Sequence, residues 1–152
     1  MHNRPHTIPP VKAPASDDGY LEEMTRAVFQ AGFDWEVVRE RWPAFRRAFK
    51  KFSVARVANF SPDDIDRLLR PDSGIVRNYR KILATVHNAT VLLELAREFG
   101  AFSHYLRSFD GMGYATLVKD LRKRFKYLGT TGSFVFLYTV GEPVPEWERR
   151  HV

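Results

Sequence analysis

The stretch LLRPDSGIVRNYRKI, Leu68 to Ile82, decides how this chain is read. Before it, Ile65, Leu68 and Leu69 repeat at helical spacing and face inward. Pro71-Asp72-Ser73-Gly74 then forces a tight turn. A long helix is predicted to follow from about Ile75 to Phe99, with Ile82, Val86, Ala89 and Leu93 on one stripe and Gly100 as its stop. Two helices joined by so short a bend leave the first backbone N–H groups of the second one exposed. Those donors, with the positive end of the helix dipole, form an anion site. Gly74 at the bend lets a phosphodiester approach the backbone, and Arg77, Arg80 and Lys81 add positive charge beside it. The stretch therefore reads as a helix–hairpin–helix that grips nucleic-acid backbone without reading sequence. The same residues also fit an ordinary pair of antiparallel helices with a solvated basic face.

Working outward, Ser61-Pro62-Asp63-Asp64 starts the helix before the hairpin: Ser61 caps, Pro62 occupies the first turn, and two acids favour the dipole's positive end. Further upstream a helix is predicted from about Asp18 to Gln30, with Leu21, Met24 and Val28 on one face and Gly32 ending it. Another begins near Asp34 and is interrupted at Pro43, which suits the first turn of a new helix. Trp42, Phe45, Phe49 and Phe52 take the core spacing there, whereas Arg46, Arg47, Lys50 and Lys51 fall largely off it. Short helices are expected at about 102–109 and 114–124. Thr130 to Val140 has strand-like propensity, but a lone strand would leave its backbone groups unpaired, so it is read as a buried helix. The expected fold is all-α: one helical domain over 17–152, preceded by a Pro-rich arm at 1–16 that is flexible or draped on the domain.

Composition narrows the function. There is no cysteine, which excludes disulfides, thiolate catalysis and sulfur-bound metal sites. No apolar run is long enough to span a bilayer, and none near the start has signal-peptide length, so a soluble cytoplasmic monomer is expected. Lys plus Arg outnumber Asp plus Glu by 24 to 18, an excess that suits a polyanionic partner. The five histidines show no metal-ligand spacing, so no metal and no cofactor are expected.

Several further stretches, taken together, carry a family resemblance. QAGFDWEVV (Gln30–Val38), FRRAFKKFSVARVANF, GIVRNYRKILATVHNA and LAREFGAFSHYLRSF resemble DNA-3-methyladenine glycosylase I, nearly continuously from Ala27 to Phe109. The likeness resumes in LVKDLRKRFKYLGTT, Leu117 to Thr131. The resemblance implies a helix–hairpin–helix enzyme that flips an alkylated base out of duplex DNA and hydrolyses its N-glycosidic bond. The family's stacking tryptophan falls on Trp35, and the positions that plug the gap left in the duplex fall on Gly32 and Phe33. Its phosphate-binding hairpin falls on Asp72 to Val76, which includes Ser73, Gly74 and Ile75, with Arg77 and Lys81 as the basic residues of the following helix. Thr130 lies in a segment that matches one near the family's pocket.

The departures are specific. The family's base-recognising glutamate falls on Ala27, and its N-terminal and C-terminal Cys and His elements are missing, so the structural zinc they hold is not expected. Glu23 lies four residues before Ala27 and shares its helix face, which makes it the candidate replacement carboxylate. The same residue also fits a solvated surface acid. Tyr20 is the candidate for the space of the family's lost base-recognising tyrosine. Two functions follow from the resemblance: excision of 3-methyladenine or a similar base during base excision repair, or binding of damaged or abasic DNA without excision. A helical scaffold that binds no DNA is the third possibility.

Overall fold

The structure, a computed structural model, describes residues 11–152, so residues 1–10 of the expected arm lie outside the described residues. The remainder of that arm runs against the domain: Lys12 N–H donates to the Thr139 carbonyl at 3.3 Å. Pro14 sits so close to Gly19 that a Cβ there would lie 2.7 Å from the proline ring.

Nine α-helices follow among the described residues, and no strand: α1 (Asp17–Gln30), α2 (Trp35–Glu40), α3 (Trp42–Ala48), α4 (Val54–Ala58), α5 (Pro62–Leu68), α6 (Tyr79–Phe99), α7 (Phe102–Arg107), α8 (Tyr114–Arg124) and α9 (Thr130–Thr139). The segment with strand-like propensity is thus the helix α9, buried along most of its length. Helix α6 forms the axis, packed by α1, α4, α5 and α7, while α9 lies against α1 and α8. Asp34 caps α2 through Glu36 N–H at 2.8 Å, and Ser61 and Asp64 form a reciprocal capping box on α5.

Helix α6 begins later than expected. Ile75 to Asn78 are not helical, and Asn78 is the cap, its side chain accepting from Lys81 N–H at 3.1 Å. A capping asparagine competes with the helix for its own backbone, which moves the start four residues on from Ile75.

The core is rich in aromatic rings. Phe102 sits 5.0 Å from Tyr20, 5.2 Å from Tyr105 and 6.3 Å from Phe136, centroid to centroid. A second stack runs through Trp42, Phe52, Phe49 and Phe60. Each such ring fully removed from water contributes roughly 1.5–3 kcal/mol. Two acids at the start of α1 act at a distance: Asp17 accepts from Phe102 N–H and Asp18 from Val54 N–H, both at 2.9 Å. They cap α7 and α4, two helix starts whose own flanking residues leave those donors free.

Candidate nucleic-acid interface

Helix α1 ends at Gln30, and the chain turns through Gly32 at φ +67°, a left-handed conformation that glycine adopts freely. The turn delivers Phe33 to the surface, 43% exposed, and Trp35, half-buried, at the start of α2. Lys81 fixes this corner from below. Its Nζ donates to the Ala31 carbonyl at 2.7 Å and to the Phe29 carbonyl at 3.3 Å. These are carbonyls at the end of α1, which a cation satisfies both by hydrogen bonding and by charge. Lys81 is 8% exposed, and burial lowers its pKa. The expectation that Lys81 reaches a phosphate is corrected accordingly: its ammonium is buried against α1 and faces away from solvent.

The hairpin follows α5. Pro71–Ser73 make one 3₁₀ turn, and Gly74 closes it at φ +79°, ψ −5°. Glycine is needed here twice over. The backbone is left-handed, and a Cβ would lie 2.9 Å from the Ala44 Cβ of α3. After the bend, Ser73 Oγ accepts from Ile75 N–H at a long 3.5 Å, and among the described residues the N–H groups of Val76 and Arg77 have no hydrogen-bond partner. Ile75 itself is 2% exposed, so only its backbone is available at the bend while its side chain belongs to the core. Arg77 is exposed.

The two elements meet. Phe33, Val37 and Arg41 form one wall of an open groove of about 510 Å³, and Leu69, Val76 and Arg77 form the other, with Ile75 between them. An exposed apolar ring therefore stands across a groove from unpartnered amides and a free guanidinium. That pairing suits a nucleic-acid strand, whose phosphates need donors and whose base stack can be wedged by an apolar side chain.

The model of the methyladenine glycosylase family matches residues 12–116. The chain belongs to that family. It is 30% identical over 131 residues to DNA-3-methyladenine glycosylase 1 of Escherichia coli, an alignment covering 74% of this chain and 70% of that protein. Its fold matches a crystal structure of 3-methyladenine DNA glycosylase I with a TM-score of 0.75 at 28% identity, over 86% of this chain and 81% of the other. The Staphylococcus aureus enzyme, solved for the structural basis of 3-methyladenine recognition, matches with a TM-score of 0.75 at 26% identity, over 86% and 79%.

Within this glycosylase fold, Tyr20 departs from its expected role. It is 4% exposed and wedged between Phe102 and Phe136, and burial, then Glu142, raises its pKa. Its ring is a core element and does not line the groove. Glu23 is drawn sideways: its carboxylate accepts from Arg26 Nε at 3.0 Å, and the Arg26 guanidinium lies 4.3 Å from the centre of the Trp42 ring. No hydrogen bond joins Glu23 to the Trp35 corner among the described residues. Ala27 is 4% exposed. Thr130 is half-buried at the first position of α9, behind a loop that Asn88 pins by accepting from Lys126 N–H at 2.9 Å and donating to the Lys126 carbonyl at 3.1 Å.

Two features escape sequence reading. One is the inward role of Lys81, which with Thr85 and Asn88 is buried at helical spacing on α6; three polar residues at that spacing are the available signal. The lysine pair at 50 and 51 gave none, because its importance lies in backbone conformation.

Among the described residues no helix is long and apolar enough to cross a membrane. No group of three or more potential metal ligands is found among them either.

Proposed function

We propose that this chain excises 3-methyladenine, or a similarly destabilised alkylated base, from duplex DNA as a monofunctional glycosylase of base excision repair. The observation that carries the reading is the shared groove, with Phe33 on one wall and the free amides and Arg77 on the other. Val76 and Arg77 N–H hold a phosphate, Ser73 and Gly74 shape the bend, and the Arg77 guanidinium adds charge. Phe33 and Gly32 fill the space the flipped nucleotide leaves, and the Trp35 indole stacks on the extruded base. Thr130 borders the base from the α9 side. The chain acts as a cytoplasmic monomer.

The chemistry needs little acid catalysis. An N3-alkylated adenine carries positive charge and leaves as a neutral base, so its glycosidic bond is already weak. Holding the base apart from the sugar and excluding water does most of the work. Without a carboxylate at position 27, the site loses a charged hydrogen bond of about 1.5–3 kcal/mol to a cationic base. That loss favours lesions whose bond is labile over lesions that must be recognised by charge. Release of free base from alkylated duplex tests the proposal. Wild type is expected to release base, and folded Trp35→Ala to lose most of that activity. Tight, salt-sensitive binding to abasic duplex with no release from any alkylated substrate would replace excision by damage binding alone.

A further inference from the structure

A second groove borders α3 and has no part in the reading above. It has a volume of about 790 Å³ and is lined by Trp42, Pro43 and a set of cations. Arg46 in this set is neutralised, because it is hydrogen-bonded to Glu22, which also accepts from Trp42 Nε1 at 2.8 Å. The other four, Arg47, Lys50, Lys51 and Arg56, form no ion pair among the described residues. Four unpaired cations around one groove repel one another, and a polyanion relieves that repulsion.

The backbone beneath them is unusual. Lys50, Lys51 and Phe52 are all left-handed, with φ of 55°, 55° and 58°. Each such residue costs roughly 1–2 kcal/mol relative to ordinary backbone. Phe52 anchors the turn: it is fully buried and stacked on Trp42 and Phe49. On this turn Lys50 is half-buried and Lys51 exposed, and strain of this kind concentrates where a site needs its shape.

The aromatic floor decides what kind of contact the groove makes. Trp42 is 6% exposed, flanked by Phe45 at 4.8 Å and Phe52 at 5.4 Å, with the Arg26 guanidinium 4.3 Å away. No open ring face remains on which a base could stack. Position decides the rest. Ala44 of α3 touches the hairpin at Gly74, and Arg47 stands one turn further along the same helix, at the border of the groove. The groove and the hairpin thus border the same helix, α3.

We propose that this groove is a second phosphate track, which holds the backbone of the same duplex outside the lesion site without reading its bases. It rests on the glycosylase reading for the orientation of the duplex, and it extends the footprint beyond the hairpin.

The test compares wild type with Lys50→Gln/Lys51→Gln/Arg56→Gln on undamaged duplexes, with Lys50→Arg/Lys51→Arg as the charge-retaining control for folding. On a duplex of about 24 base pairs, losing three phosphate contacts flattens the salt dependence of log affinity by about 2–3. The wild type's advantage then shrinks roughly 40-fold between about 50 and 200 mM salt. Equal salt slopes on the long duplex, or no duplex binding by wild type, would overturn the second track. So would a loss of binding to anionic lipid vesicles with DNA binding intact. The glycosylase reading fails separately, by absence of base release from alkylated duplex by wild type.

Discussion

The pole formed by α7, α8 and α9 and the corner between α1 and α2 use the same kinds of residue in opposite ways. At the pole most rings have ring neighbours, and Tyr105 donates to Asp120 at 2.6 Å, while Asp120 also accepts from Arg124 Nε at 2.7 Å. Burial and then the Asp120 bond push the Tyr105 hydroxyl far above its ordinary pKa. At the corner, Phe33 is exposed, Trp35 is half-covered, and Arg77 and the amides beside it lack partners. Satisfied groups hold a shape; unsatisfied ones on a rigid frame are free for a ligand. The contrast teaches that aromatic content alone separates nothing in this chain, and that the division between scaffold and site lies in which exposed groups still lack a partner.

The widest gap between the two regions should appear when one ring is removed from each. Phe102→Ala takes away a ring with no exposed surface and four ring neighbours, and is expected to cost about 3–5 kcal/mol in denaturant unfolding. Trp35→Ala should cost clearly less stability, because the ring is already half in water. It should instead lower base release by roughly 5- to 150-fold, the equivalent of one stacked base at about 1–3 kcal/mol. A Trp35→Ala protein that unfolds as early as Phe102→Ala, with release by its folded fraction intact, would erase the distinction.

The pole was largely legible in sequence and the corner only in part. Helix positions follow from apolar spacing and from caps such as Ser61 and Asp34, which act within a few residues. The bonds from Asp18 and Asp17 to the starts of α4 and α7 were illegible, because these acids lie 36 and 85 residues from the amides they satisfy. Gly32 and Gly74 announced their left-handed turns. Lys50, Lys51 and Phe52 could not, since ordinary side chains avoid that conformation unless tertiary packing enforces it. The same limit explains Tyr20 and Lys81. Both residue types are common at binding sites, and only the packing around them shows that here they are structural.

Lys81 and Arg77 sharpen the comparison, because four residues separate a buried cation from a free one. Lys81→Met keeps the stem and removes the ammonium, leaving the Phe29 and Ala31 carbonyls without their donor. A loss of about 1–3 kcal/mol of stability is expected, with lower base release and an unchanged salt slope. Arg77→Ala should change stability by less than about 0.5 kcal/mol. It should flatten the salt slope of duplex binding by about 0.9, one phosphate. Chemical unfolding and a salt titration on both variants decide the matter, and an exchange of the two outcomes would reverse the assignment of scaffold and site around the start of α6.

The smallest effect expected concerns the helix that leads into the hairpin. Asp64 accepts from Ser61 N–H at 2.8 Å and from Arg67 Nη1 at 2.7 Å, and these contacts, the backbone bond first, lower its pKa from 3.8 to about 2. A carboxylate depressed in the folded state binds fewer protons there than in the unfolded chain. Its contribution is therefore complete above pH 3.8 and is lost as pH falls toward about 2. Asp64→Asn cannot titrate, yet its side-chain oxygen can still accept from Ser61 N–H. Its Tm should lie slightly below that of wild type at neutral pH, and the two curves should converge as the pH approaches 2. Because α5 ends two residues before the 3₁₀ turn, any loosening of its start is transmitted to the bend only through the rest of a seven-residue helix. Duplex binding by Asp64→Asn at neutral pH should accordingly match wild type. A binding defect larger than the Tm change accounts for would mean that the capping box belongs to the hairpin rather than to the frame that carries it.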